Sequence, residues 1–186
     1  MPCISAIALP LTASIGILDF GLSQTQMLIF AVRLLVEQEG NLLFLRQTKK
    51  NGGRFSLIGG NVEEREFARE ALAREALEEA GIHVLPQTLR LVHVLHRHKL
   101  KKDQTLLVLY FHTEHFRGEP ASQEPQKFKD VRWLPKHMLP DNVSKATRHV
   151  LEAIQRGEIY SEYPAREKVL SHWEHAKPNW EGFAVP

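Results

Sequence analysis

The sequence predicts an α+β fold, on three observations. Two apolar runs rich in Leu, Ile and Val, "MLIFAVRLLV" and "LLFLRQ", flank the turn residues "EQEGN". A long stretch of Ala, Leu, Glu and Arg without proline, Glu66 to Ala80, stops at Gly81. Beyond it lie two more long strand-like runs in succession, so strands and helices mix without a regular strand–helix–strand alternation.

Each element follows from its residues. Met27 to Val36 alternates only in part but is dense in β-formers, and Leu42 to Gln47 returns after a turn, which makes a hairpin. "KKNGG", Lys49 to Gly53, is a loop, and "RFSLIGG" a short strand entering two glycines. Glu66–Ala80 is built of good helix formers. Its apolar face is expected at Phe67, Ala71 and Leu72, with Leu77 nearby. Gly81 suits a left-handed cap. "LRLVHVLHRH" and "TLLVLYFHTEHF" read as two long strands joined by the basic turn "KLKKD", and "VRWLP" as another short one. Val143 to Gly157 reads as a second helix, apolar at Val150, Leu151 and Ile154.

The 186 residues suffice for one domain with a real core, and 43% hydrophobic with 25% charged residues is the profile of a water-soluble globular chain. A net charge of +2 is too small to argue for nucleic acid or a membrane surface, and neither long nucleic acid nor a membrane is expected as a partner. Cys3 is the only cysteine, so no internal disulfide forms, which fits a reducing, cytoplasmic compartment. Residues 1–24 are apolar but lack the basic start of a secretory signal, and Pro10 and Asp19 oppose a spanning helix. The expected organisation is an N-terminal extension over 1–24, a folded domain over 25–157 and a C-terminal tail over 158–186. Whether the extension is an added segment, an extra strand or a dimer arm stays open, as does a homodimer.

The helix carries an oddity. Glu75, Glu78 and Glu79 crowd its last turns, at the negative end of the macrodipole, where cations are preferred. Their spacing puts them on one face, where each like-charge pair at about 6 Å costs roughly 3 kcal/mol at an effective dielectric near 20. A cation belongs there.

Gly60, Glu66, Arg74, Glu75, Glu78, Glu79, Gly81 and Ile82 stand in the spacing G-x5-E-x7-R-E-U-x-E-E-x-G-U. This resembles the box of the Nudix hydrolase family, with MutT-type members nearest in pattern. A chance match at one start is about 10⁻⁸ to 10⁻⁹ at roughly 6–7% per residue type. Ala76, Ile58 and Arg65 depart from the usual residues, which are a larger aliphatic, a proline and a glycine. The resemblance covers about Met27 to Ile154. It implies an αβα sandwich with a mixed β-sheet between helices, and a Mg²⁺-dependent pyrophosphohydrolase (Mn²⁺ able to substitute) acting on a small nucleotide. Nucleoside triphosphates are the expected substrates. The alternatives are ADP-ribose or nucleotide sugars, an RNA 5′-pyrophosphate, or a catalytically silent nucleotide-binding regulator.

The residue roles follow from that resemblance and the chemistry of magnesium, which takes hard oxygen ligands. Gly60, through its carbonyl, with Glu75, Glu78 and Glu79, is expected to hold metal. Arg74 is expected to hold one glutamate in place by a bidentate pair, and Glu66 to brace the loop. Downstream, "FRGEPASQEPQKFKDVRWLP" resembles the MutT-type segment that carries a further glutamate, a metal ligand or general base, here Glu124. Glu78, Arg74 and Glu124 are therefore the expected catalytic residues. Arg46 and Lys50 are candidates for phosphate contacts, and Trp133 for stacking on a base. The histidines do not suggest zinc: His93, His96 and His98 do not share one strand face, and no cysteine joins them.

Overall fold

The structure, a computed structural model, describes residues 28–99, 102 and 104–164. The expectations for 1–24 and for the tail beyond 164 lie outside the described residues.

The first hairpin pairs β1 (Leu28–Gln38) with β2 (Asn41–Gln47). Its two-residue turn places Glu39 at φ 51° and Gly40 at φ 75°, the doubly left-handed turn that matches the twist of paired strands. The strands pair only at Glu37–Leu42 and Gln38–Asn41 and then part. The segment Ile58–Val62 runs along β1 beyond that point. Leu34 N–H donates to the Ile58 carbonyl and Val32 N–H to that of Gly60, both at 2.9 Å, and Val62 N–H to that of Phe30 at 3.0 Å. The loop before the first helix is therefore stitched to a central strand.

The remaining strands are β3 (Phe55–Ser56), β4 (Arg90–Lys99), β5 (Gln104–Thr113), β6 (Phe128–Pro135) and β7 (Tyr160–Tyr163). They form one mixed seven-stranded sheet, ordered β3-β2-β1-β5-β4-β7, with β6 also on β2. β1 runs parallel to β5, and β4 antiparallel to it. β7 comes from the segment expected as a tail and lies parallel to β4. His93 locks it there: this buried ring bonds the Glu158 carbonyl at 2.9 Å and Ser161 Oγ at 2.8 Å.

Two helices, α1 (Ala68–Ala80) and α2 (Lys145–Gln155), cover opposite faces of the sheet. Under α1 lie Val32, Leu34, Leu43, Leu45 and Ile58. Under α2 lie Ala31, Leu35, Phe44, Leu95 and Tyr110. This is the αβα sandwich. Ser144 caps the start of α2, its Oγ accepting from Thr147 N–H at 3.1 Å.

The buried face of α1 differs from expectation. Phe67 is 78% exposed and Leu77 45% exposed. Phe67 is the N-cap, with extended backbone, so the helical period does not apply to it. Ala71 and Leu72 do face inward, and the stripe continues through Ala76 and Ala80, all fully buried. Small residues at successive turns bring the helix close to the sheet.

Candidate active site

The site forms where the end of α1 meets the Gly59–Gly60 turn. Gly81 closes the helix in the left-handed conformation, φ 67°. Its N–H bonds the Leu77 carbonyl at 3.1 Å, and Ile82 N–H that of Ala76 at 3.2 Å. The next carbonyls are taken by a downstream loop. Ala121 N–H donates to the Ala80 carbonyl at 2.9 Å and Gln123 N–H to that of Glu79 at 3.2 Å. Glu124 is thereby docked against the acidic end of the helix, within electrostatic range of Glu79.

Arg74 is the hub of the cluster. Its Nε and Nη2 grip both oxygens of Glu66, at 3.0 and 3.1 Å. Its Nη1 donates to Glu75 Oε1 at 3.0 Å and to Glu78 Oε2 at 3.2 Å. One guanidinium thus serves three carboxylates, where the sequence suggested one. Glu66 in turn accepts from Glu63 N–H at 3.1 Å, which ties the loop to the helix. Arg74 holds the Glu66 carboxyl below its ordinary value against a smaller opposing effect of burial.

Glu79 lies differently. It is only 7% exposed, and its hydrogen bond comes from Gly59 N–H, at 2.9 Å to Oε2. Burial pushes its carboxyl up to about 7; the Gly59 N–H and Arg33 pull it down, while Glu75 and Glu124 push it further up. Among the described residues no cation pairs directly with this carboxyl, and a buried carboxylate in that position favours a bound cation. The turn leaves no spare room: a Cβ on Gly60 would collide with the Glu75 carboxylate, and one on Gly59 with the Val32 carbonyl.

Among the described residues, no three His, Cys, Asp or Glu side chains stand gathered for an ion. Arg74 instead holds Glu75 and Glu78. The candidate donors are nonetheless all hard oxygen: the Glu75 and Glu79 carboxylates and the Gly60 carbonyl, which also accepts from Val32 N–H. These residues fit a hard divalent cation.

The sequence model of the NUDIX domain matches residues 27–154. The chain belongs to the Nudix family. It is a hydrolase of that family, which acts on pyrophosphate bonds in nucleoside diphosphate derivatives and generally uses divalent metal ions. Solved Nudix structures share the fold. A MutT NUDIX hydrolase from Burkholderia pseudomallei is 24% identical with TM-score 0.63, over 68% of this chain and 98% of its own. A MutT protein from Methanosarcina mazei Go1 is 20% identical with TM-score 0.62, over 72% and 97%. A UDP-X diphosphatase aligns at 16% identity and TM-score 0.51, over 76% and 70%. No curated protein matches the sequence.

The departures from the usual Nudix residues have structural readings. Ile58 is fully buried and bridges Leu34, so an apolar side chain anchors the loop. Ala76 packs flat beneath the helix. Arg65 sits at φ 66°, the left-handed region that glycine enters without strain.

The other expected contacts fall outside this cluster. The Arg46 guanidinium lies 5.9 Å from the Phe55 ring centroid. Lys50 is exposed in a single 3₁₀ turn. Trp133 is half-buried and packs against the core under α1, its ring 5.9 Å from Phe116. Two residues escaped the sequence reading. Arg33 on β1 donates to the Val32 carbonyl at 2.7 Å and reaches the Gly60 carbonyl at 3.4 Å. Lys127 pairs with Glu124 at 2.6 Å, in the field of Glu75 and Glu79. The signal for Arg33 was present, as a single charge inside the apolar run "AVRLLV"; Lys127 gave none.

Among the described residues no helix is long and apolar enough to cross a membrane.

Proposed function

We propose that the chain is a Mg²⁺-dependent pyrophosphohydrolase of nucleoside diphosphate-X compounds, with nucleoside triphosphates as the preferred substrates, giving a monophosphate and pyrophosphate. The observation that carries this reading is Glu79: a buried carboxyl with no direct ion-pair partner among the described residues, in the field of Glu75 and bonded to Gly59 N–H at the glycine turn. A bound divalent ion supplies charge neutralisation of the diphosphate and acidifies bound water.

The chain's own groups do the rest. Glu75, Glu79 and the Gly60 carbonyl would hold the metal, with Glu78 as a further carboxylate for it. Arg74 keeps Glu66, Glu75 and Glu78 from repelling one another before loading, so metal and guanidinium compete for Glu75. Water attacks a phosphorus of the bridge, and the bridging P–O bond breaks with its electron pair on the leaving group. Glu124, held beside Glu79 by the loop and by Lys127, takes the proton.

The test is a nucleotide panel with Mg²⁺ and a coupled pyrophosphatase. Release of pyrophosphate from triphosphates is expected. Tight binding of one nucleotide with no turnover of any would replace this reading with a silent binding module.

A further inference from the structure

Glu124 sits on the long segment 114–127 between β5 and β6, and what holds that segment decides whether Glu124 can act as a base. Upstream, the bonds from Ala121 and Gln123 to the carbonyls of α1 pin it to the end of the helix. Downstream, the Glu124 carbonyl accepts from Lys127 N–H and Phe128 N–H, both at 2.8 Å. Ser122 Oγ donates to the Phe128 carbonyl at 2.7 Å. Residues 122–128 thus close into one turn around Glu124. The outside anchor of that turn is the loop "KKNGG" between β2 and β3.

Two groups at that loop reach across. Thr48 N–H donates to the Lys127 carbonyl at 2.9 Å. The Asn51 side chain donates through Nδ2 to the Gln126 carbonyl at 3.1 Å and to the Lys127 carbonyl at 3.3 Å. Both partners only accept, so the amide must turn its NH₂ towards them. One short side chain therefore spans two consecutive peptide groups just beyond Glu124. Asn51 is itself fixed. Its N–H donates to the Thr48 carbonyl at 2.9 Å, and Gly53 N–H donates to the same carbonyl at 2.9 Å. Gly52 and Gly53 make that return possible at φ 99° and 63°, where a side chain is disfavoured. Asn51 is exposed and lies outside the strands, so the core does not depend on it. Position matters for a base: it must lie within hydrogen-bond reach of the attacking water, and a misplacement of about 1 Å can cost roughly 10²-fold in rate.

We infer that Asn51 is a positioning residue for Glu124, holding the peptide groups beside it so that the carboxyl meets the attacking water. The inference rests on the pyrophosphohydrolase reading with Glu124 as the base. Asn51→Leu keeps the size of the side chain and removes its donors. With a nucleoside triphosphate and Mg²⁺, its kcat is expected to fall about 10-fold or more, with KM and Mn²⁺ affinity within about 2-fold of wild type. Asn51→Gln, which keeps the amide on a longer stem, is expected to restore part of the rate. In a Glu124→Gln background, Asn51→Leu is expected to cost less than about 2-fold, because the group it positions is gone. Hydrogen exchange reads the tie without turnover. The amides of Lys127 and Phe128 are expected to exchange at least about 10-fold faster in Asn51→Leu, with those of α1 unchanged. Should Asn51→Leu fail to fold, Asn51→Ala carries the same expectations. An unchanged kcat, an equal loss in both backgrounds, or exchange that rises evenly across the domain would overturn the inference. Failure of the underlying reading shows separately, as a wild type that turns over no nucleotide or a Glu124→Gln variant as fast as wild type; the exchange rates then still decide whether Asn51 holds the loop.

Discussion

Glu79 Oε2 accepts a hydrogen bond from Gly59 N–H at 2.9 Å, joining the end of the helix to the turn stitched on β1. The bond needs an acceptor but not a charge. Glu79→Gln is therefore expected to keep the fold, with a melting temperature within a few degrees of wild type. Loss of the metal-holding charge is expected to lower kcat by about 10³ or more. Steady-state rates with Mg²⁺ decide it: an undiminished kcat removes Glu79 from the metal site.

The two adjacent glycines should part company on substitution. At Gly60 the obstacle to a Cβ is the end of the Glu75 side chain, which can swing aside; at Gly59 it is the backbone of Val32, and φ is 134°. Gly60→Ala is expected to fold with a stability loss under about 1 kcal/mol but bind Mn²⁺ at least 10-fold more weakly. Gly59→Ala is expected to lose about 3 kcal/mol or more, from strain and displacement of the strand. Denaturant unfolding together with metal titration separates the two outcomes. Equal destabilisation of both would contradict the geometry.

Arg74 links stability to pH through Glu66. Because Arg74 holds the folded carboxyl below its ordinary 4.5, the pair's stabilisation is present in full above that value. It is lost as pH falls below it, through the folded-state value. Arg74→Gln is expected to cost about 2 kcal/mol at pH 7, as loss of charged hydrogen bonds does. Its deficit against wild type should shrink on acidification below pH 4.5. Urea unfolding across pH 3 to 7 reads this. Divalent metal should also raise the melting temperature more in the variant than in the wild type, since metal relieves the same repulsion. A deficit constant with pH would mean the pair acts only through packing.

Much of this was legible in the sequence where the cause is local. The hairpin, both helices and the Gly81 cap follow from turn residues, propensity and period. The acidic cluster was visible as a conflict between charge and dipole, at a spacing few sequences share. What escaped depends on tertiary pairing. β7 has four residues and no apolar period of its own; β4 and His93 make it a strand. The run along β1 at Ile58–Val62 exists because the hairpin splits. Phe67 was misplaced because helical periodicity was extended one residue past its end. Lys127 and Arg33 join the site from other elements, at sequence distances that carry no spacing signal.

Arg65 offers the last test. Its φ of 66° places a β-carbon-bearing residue where the chain must turn left-handed between Glu64 and the capping segment of α1. That conformation costs roughly 1–2 kcal/mol for an L-residue other than glycine. Glycine adds unfolded-state entropy worth about 0.5–1 kcal/mol, which offsets part of the relief. Arg65→Gly is thus expected to stabilise the protein by about 0.5–1 kcal/mol. For a domain of this size that raises Tm by about 1–4 °C. Arg65→Ala keeps the strain and should show no gain, so differential scanning calorimetry of the pair isolates the backbone term. A glycine variant less stable than the alanine one would show that Arg65 is not strained in solution.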